Sequence, residues 1–184
     1  MEIITMSILI VLIAVVGWFV GIFNKLIGFK NQVEQSWADI DVELKRRYDL
    51  IPNLVETVKG YAAHEQGTFE KVIQARNTAM SAKTMAAKEE AENQLTGALK
   101  SIFALAENYP QLRAVETFTK LQSELSDTEN KIQSARRFYN TSVRDLNTAT
   151  QMFPSSLVAS MTGIGKKEFF QAAEGDKAVP QVKF

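Results

Sequence analysis

The chain has one histidine, His64, followed directly by Glu65, and a His-Glu pair on a helix opens a zinc-protease motif. That motif needs a second histidine four residues later, where this sequence has Thr68. With a single histidine and no cysteine, the chain cannot supply the usual zinc donor sets. Bundles that hold two metal ions between carboxylates use Glu-x-x-His pairs, yet Tyr61 stands three residues before His64. Asp39 and Asp41 are two residues apart, so on a helix they face different ways. The sequence has no glycine-rich phosphate loop, nucleophile elbow or haem motif. The expectation is therefore no catalytic, cofactor-binding or metal-ligating residues, with His64 on the surface or at a helix end.

A more informative set is polar residues that fall on or beside apolar seams: Arg47, Glu65, Arg76 and Tyr139. A charge taken out of water is costly unless it is paired. One reading pairs Arg47 with Glu65 across two successive helices. The other leaves these side chains at a wet rim, reaching outward along their apolar stems. Arg47 also belongs to the basic cluster Lys45-Arg46-Arg47. For that cluster to touch anionic lipid, about 30 Å of helix would have to fold back, so a solvated or paired face is the expectation.

The elements that position these residues begin with Ile3 to Phe23, 21 positions without a charged side chain. As a helix this run is about 32 Å long, against a hydrocarbon slab of roughly 30 Å. A cleaved signal peptide would have a basic stub, a shorter apolar stretch and a small-residue cleavage site, whereas here Met1-Glu2 precedes a long run with bulky Trp18 and Phe19 in its distal end. A membrane-spanning anchor is expected. Lys25, Lys30, Lys45, Arg46 and Arg47 all follow the run and no basic residue precedes it. The bias places the N-terminus outside and residues 25–184 in the cytoplasm, at the cell inner membrane. Gly17 and Gly21 have the spacing that lets two membrane helices approach closely, a weak pointer to a homo-oligomer.

Basic and acidic residues balance at 21 each, which argues against a globally basic nucleic-acid binder. Nine glycines and four prolines in 184 residues are few for a chain rich in helix formers. A stripe at alternating steps of three and four runs through Phe118, Leu121, Leu125, Thr128, Ile132, Ala135, Tyr139, Ser142, Leu146, Ala149 and Phe153. Only a helix produces that period, and its heptad form is that of a coiled coil. An earlier stripe uses Leu26, Val33, Trp37, Ile40, Leu44 and Tyr48, and the membrane helix can continue into it as one helix. Pro52 has no amide hydrogen and its ring crowds the carbonyl of Tyr48. A tight reversal over Tyr48 to Pro52 is the preferred reading, and a kinked continuous helix is its rival. A second helix is then expected over about 52–80, with Leu54, Val55, Val58, Tyr61, Ala62, Phe69, Val72, Ile73 and Met80 facing inward. Ser81 and Thr84 suggest a turn, and a third helix spans about 86–109 with Leu95, Leu99, Ile102, Phe103, Leu105 and Ala106 inward. The fold expectation is all-α, a single transmembrane helix followed by an antiparallel up-and-down four-helix bundle. Residues 1–24 form the anchor, 25–154 the bundle and 155–184 a loosely ordered tail, where Phe169-Phe170 could dock.

The run from Trp37-Ala38-Asp39-Ile40-Asp41-Val42 through Leu44-Lys45-Arg46-Arg47-Tyr48-Asp49-Leu50-Ile51-Pro52-Asn53-Leu54-Val55 resembles the signature of the LemA family. It continues through Glu56-Thr57-Val58-Lys59-Gly60-Tyr61-Ala62 and His64-Glu65, and later through Ala106-Glu107-Asn108-Tyr109-Pro110, Tyr139-Asn140 and Phe153-Pro154. The resemblance covers nearly the whole chain and implies a bacterial, membrane-anchored helical bundle with its soluble part in the cytoplasm. It implies no established activity. Members of the family are often encoded near membrane metalloproteases or proteins of the TPM domain type.

The expected function is a membrane-anchored scaffold or adaptor that binds another protein and is not an enzyme. The expected partners are the lipid bilayer through residues 3–23 and a membrane-associated protein, a membrane protease being one candidate. The alternative is a membrane-organising protein acting by self-assembly or lipid contact.

Overall fold

The structure is a computed structural model and describes residues 1–170. Among them every regular element is helical: α1 (Glu2–Lys59), α2 (Gln66–Ser81), α3 (Met85–Asn108), α4 (Pro110–Arg113), α5 (Glu116–Gln151) and α6 (Ser155–Thr162). The all-α expectation holds. The chain folds as two compact units, one of Met1–Asp39 with Ala135–Phe169, the other of Ile40–Ser134 with Phe170.

The first correction concerns Pro52, which lies inside α1 and reverses nothing. Without an amide hydrogen, Pro52 leaves the Tyr48 carbonyl without its helical donor. The Nε of Arg76, reaching from α2, donates to that carbonyl at 2.8 Å. The orphaned acceptor is thereby satisfied from outside, so α1 runs on to Lys59. The chain turns at residues 60–65, and α2 occupies 66–81 rather than 52–80.

Within Ile40–Ser134, α1 buries Ile40, Leu44, Tyr48, Ile51, Leu54, Val55 and Val58. From α2 come Phe69, Val72 and Ala79, while Tyr61, Ile73 and Met80, expected inside, are exposed. Tyr61 lies in the turn before α2, and Ile73 and Met80 lie off the α2 face that buries Phe69, Val72 and Ala79. The third helix fits its expectation closely. Thr84 is its N-cap, its Oγ1 accepting from the Ala87 amide at 3.2 Å, and Leu95, Leu99, Ile102, Leu105 and Ala106 are buried. Pro110 opens α4 at a first-turn position, where its missing amide hydrogen costs nothing. Phe103 of α3 meets Phe118 of α5 edge to face, ring centroids 6.4 Å apart. Phe118, Leu121, Leu125, Thr128 and Ile132 of the long stripe are buried here.

Within the other unit the same stripe continues with Tyr139, Ser142 and Leu146 buried, but its last member, Phe153, is 79% exposed. Tyr139 packs edge to face on Trp37 at 5.5 Å, and its hydroxyl donates to the Glu168 carbonyl at 3.1 Å. After α5, the Ser155 hydroxyl donates to the Ala149 carbonyl at 2.6 Å, in the last turn of the helix, while the Met152 carbonyl accepts from the Ser156 amide at 2.8 Å. Helix α6 follows, in a stretch where the sequence period gives no element. Its Val158 and Ala159 are buried with Leu26 of α1, beside Phe19, Ile22, Phe23, Ala149 and Ile164. Gly163 ends α6 at φ +69, the left-handed position that suits glycine. Asn147 then holds the exit. Its Nδ2 donates to the Lys167 carbonyl at 2.9 Å and its Oδ1 accepts from the Lys167 amide at 2.8 Å. Phe170 is buried and Phe169 is exposed. The rest of the expected tail, residues 171–184, lies outside the described residues.

If Arg76 replaces the helical donor lost at Pro52, the two residues must be energetically coupled. Arg76→Ala should cost about 1–3 kcal/mol in urea unfolding, because a buried acceptor loses its partner. In a Pro52→Ala background the restored amide serves the carbonyl, and the same change should cost roughly 0.5 kcal/mol or less. Equal costs in the two backgrounds would rule this explanation out.

Candidate functional site

Arg47 lies on the apolar seam of α1, and the structure buries it to 3% exposure. Its Nη1 lies 3.3 Å from Glu92 Oε2 of α3 and 2.9 Å from Glu129 Oε2 of α5. Its Nη2 donates to Thr96 Oγ1 at 2.7 Å, one turn beyond Glu92 on α3. The other oxygen of Glu92 accepts from the hydroxyl of Tyr48. Beside these groups lies the Arg76 bond to the Tyr48 carbonyl, so α1, α2, α3 and α5 all contribute to one layer. Nearer the start of this unit, Lys88 of α3 pairs with Asp41 of α1. Asp39, weighed with Asp41 as an acid–base pair, is exposed.

The layer is buried and largely satisfied. Glu92 is 1% exposed and has a partner on each oxygen, whereas Glu129 sits at the edge with water available to it. Burial, and after it the hydrogen bond to the Glu92 carboxylate, pushes the Tyr48 phenol far above its ordinary value. That phenol remains a neutral donor at physiological pH. Fixed donors surround fixed acceptors here. The layer can set helix register and exclude alternatives, which is the best-attested role of buried polar groups.

The pairing of Arg47 with Glu65 is corrected by these contacts. Glu65 precedes α2 at the turn, and its Oε1 accepts from the Tyr109 hydroxyl at 3.2 Å. Because α1 continues for twelve residues beyond Arg47, about 18 Å of helix separates Arg47 from that turn. Burial and the Glu65 carboxylate raise the Tyr109 phenol too. His64 lies exposed in the same turn, the helix-end position expected for it. Among the described residues no group of three His, Cys, Asp or Glu side chains is placed to hold a metal ion. The sequence reading did not single out Glu92 and Glu129. Glu92 sits three residues before Leu95, so carrying the α3 stripe back one turn puts it inside; Glu129 lies next to seam residue Thr128.

Two consequences are measurable. Arg47→Ala strands Glu92 without a counter-ion and should cost about 3–5 kcal/mol in urea unfolding, most of it recovered when Glu92→Gln is added. A loss below about 1 kcal/mol would mean that Glu92 carries no buried charge. The second concerns pH. The phenol is raised in the fold, so the folded state holds its proton more tightly than the unfolded chain. Titration of Tyr48 should therefore leave stability unchanged around neutral pH and lower it as pH rises above the unfolded value of 10.0. Tyr48→Phe should flatten that alkaline slope in urea titrations at stepped pH, and an unchanged slope would reject the assignment.

A LemA family profile matches residues 36–184, a span that contains the whole Arg47 layer. Protein LemA of Metamycoplasma hominis is 26% identical over 160 residues, covering 85% of this chain and 72% of the relative. Magnetosome protein MamQ of Magnetospirillum gryphiswaldense is 24% identical over 189 residues, covering 87% of this chain and 70% of the relative. Magnetosome protein MamQ 2 of Paramagnetospirillum magneticum is 23% identical over 175 residues, with 81% and 64% covered. With its profile matched from the last turns before the buried arginine to the final residue, the chain belongs to the LemA family.

Proposed function

We propose that the chain is a single-pass membrane protein whose helical part binds another membrane-associated protein at the cytoplasmic face of the inner membrane, without catalysis. One observation carries the reading. The apolar start of α1 is long enough to cross a membrane, and no part of its most apolar window is covered by protein. Ile3 is 82% exposed and Leu12 59%, an arrangement that water would penalise and hydrocarbon would not. The lysines and arginines beyond Phe23 support an N-terminus outside. In Ile40–Ser134 the convergence of α1, α2, α3 and α5 on the Arg47 layer supports an antiparallel up-and-down four-helix bundle. The Arg47 layer and apolar side chains fill much of that interior, which points to the helical surface as the working part. Tethering would concentrate that surface near partners in the same membrane, a membrane protease among the candidates. Relatives named for the magnetosome agree with a role in a subcellular structure.

A second reading is membrane organisation by self-assembly. It draws on Gly17 and Gly21, around which a side-chain carbon would meet nothing within 4 Å, so a second helix could approach there.

The full-length chain should stay with membranes through alkaline carbonate extraction, and a C-terminal alkaline phosphatase fusion should be inactive. Release by carbonate would remove the anchor, and an active fusion would invert the orientation. Crosslinking in native membranes should then recover a heterologous membrane protein, whereas repeated recovery of only the self-linked chain would favour the second reading.

A further inference from the structure

Helix α6 is seated on the last turns of the apolar run, its Val158 and Ala159 packed with Leu26 beside Phe19, Ile22 and Phe23. The side of α6 turned away from that contact carries two large apolar side chains beside Ser156 and Ser160. Leu157 and Met161, four residues apart, share one helix face; Leu157 is 52% exposed and Met161 75%. Phe153 and Met152, just before the helix, are likewise exposed. Between Asp145 and Glu168 the chain has no carboxylate, and Lys166 and Lys167 follow α6 after Gly163-Ile164-Gly165. On α1, Lys25 stands over the Phe29 ring at 5.9 Å, also at the end of the apolar run.

We infer that α6 is a second membrane contact: Phe153, Leu157 and Met161 enter the headgroup–acyl boundary of the leaflet at the Phe23 end of the span. Lys25, Lys166 and Lys167 meet anionic headgroups there. The inference rests on the anchoring proposed above, because the depth of α6 is fixed by what it packs against. Phe19 to Leu26 covers about 10 Å of helix, which spans the interfacial layer if Phe23 marks the edge of the hydrocarbon. A lipid surface suits this face better than a protein groove, since it is continuous with side chains already assigned to lipid. The same leaflet would meet apolar groups at its inner edge and lysines at its outer edge.

The chain has no cysteine, so single labels can be introduced into the full-length protein without background. Met161→Cys, Val16→Cys and Ser126→Cys variants, each carrying the fluorophore NBD, are reconstituted in phosphatidylcholine–phosphatidylglycerol vesicles containing shallow or deep doxyl-labelled lipid. Ser126 is an exposed α5 position and serves as the aqueous reference. The label at 161 should emit blue-shifted light and be quenched by shallow doxyl at least twofold more than the label at 126. That quenching should weaken when phosphatidylglycerol is omitted, while deep quenching at 16 stays constant. Aqueous behaviour at 161 with deep quenching at 16 would overturn the interfacial helix and leave the anchor intact. A label at 16 that no doxyl lipid quenches would overturn both. A blue shift at 161 that follows protein density, without doxyl quenching, would assign the face to a second copy of the chain and so reject lipid. Quenching indifferent to phosphatidylglycerol would reject the role given to the lysines.

Discussion

A carbonyl without its amide governs the course of this chain. Proline at position 52 withdraws the hydrogen that the Tyr48 oxygen would receive inside a helix, and such a vacancy in a buried setting ordinarily ends or bends the element. Here a guanidinium from the next helix fills it. Because the acceptor is met, α1 keeps its helical path for seven more residues past the proline, and the turn, the start of α2 and the face that α2 presents all follow.

The buried arginine one residue before that carbonyl acts on the same layer by charge. A guanidinium offers several donors in a fixed plane, so Arg47 can serve carboxylates on two helices and a hydroxyl on one of them at once. Slippage of α3 by a single residue would swing Glu92 by about 100° and carry its carboxylate away from Arg47, which would keep only Glu129 of α5. Apolar packing tolerates such slippage far better than paired charge does, so the polar layer sets register while the surrounding leucines, isoleucines and valines supply the bulk of the driving force.

Much of this was legible in the sequence, and the reasons differ by element. The long stripe from Phe118 was readable because α5 is amphipathic over ten turns and its period needs no tertiary information. The third helix was readable because Thr84 caps it and Pro110 closes it. The start of α2 was not, since Pro52 is a breaker by itself and becomes harmless only through Arg76, a residue 24 positions away. Arg47 was recognisable as anomalous on an apolar face, but its partners were not: which carboxylate it meets depends on helix register, and the misplaced turn had put Glu65 opposite it. Helix α6 escaped notice because eight residues give barely two turns of pattern, and its burial depends on α1 residues more than 130 positions earlier.

Asn147 uses its amide as an extended strand uses its backbone, giving one hydrogen and taking one from the main chain at Lys167. Such a clasp touches no part of the lysine side chain. Residue 167 can therefore drift in type over evolutionary time without rerouting the polypeptide, provided it is not proline, whereas position 147 can drift only to a side chain that both donates and accepts. The asparagine, unremarkable in a polar stretch, thus fixes the path of the main chain and leaves the lysine side chain free to serve other ends.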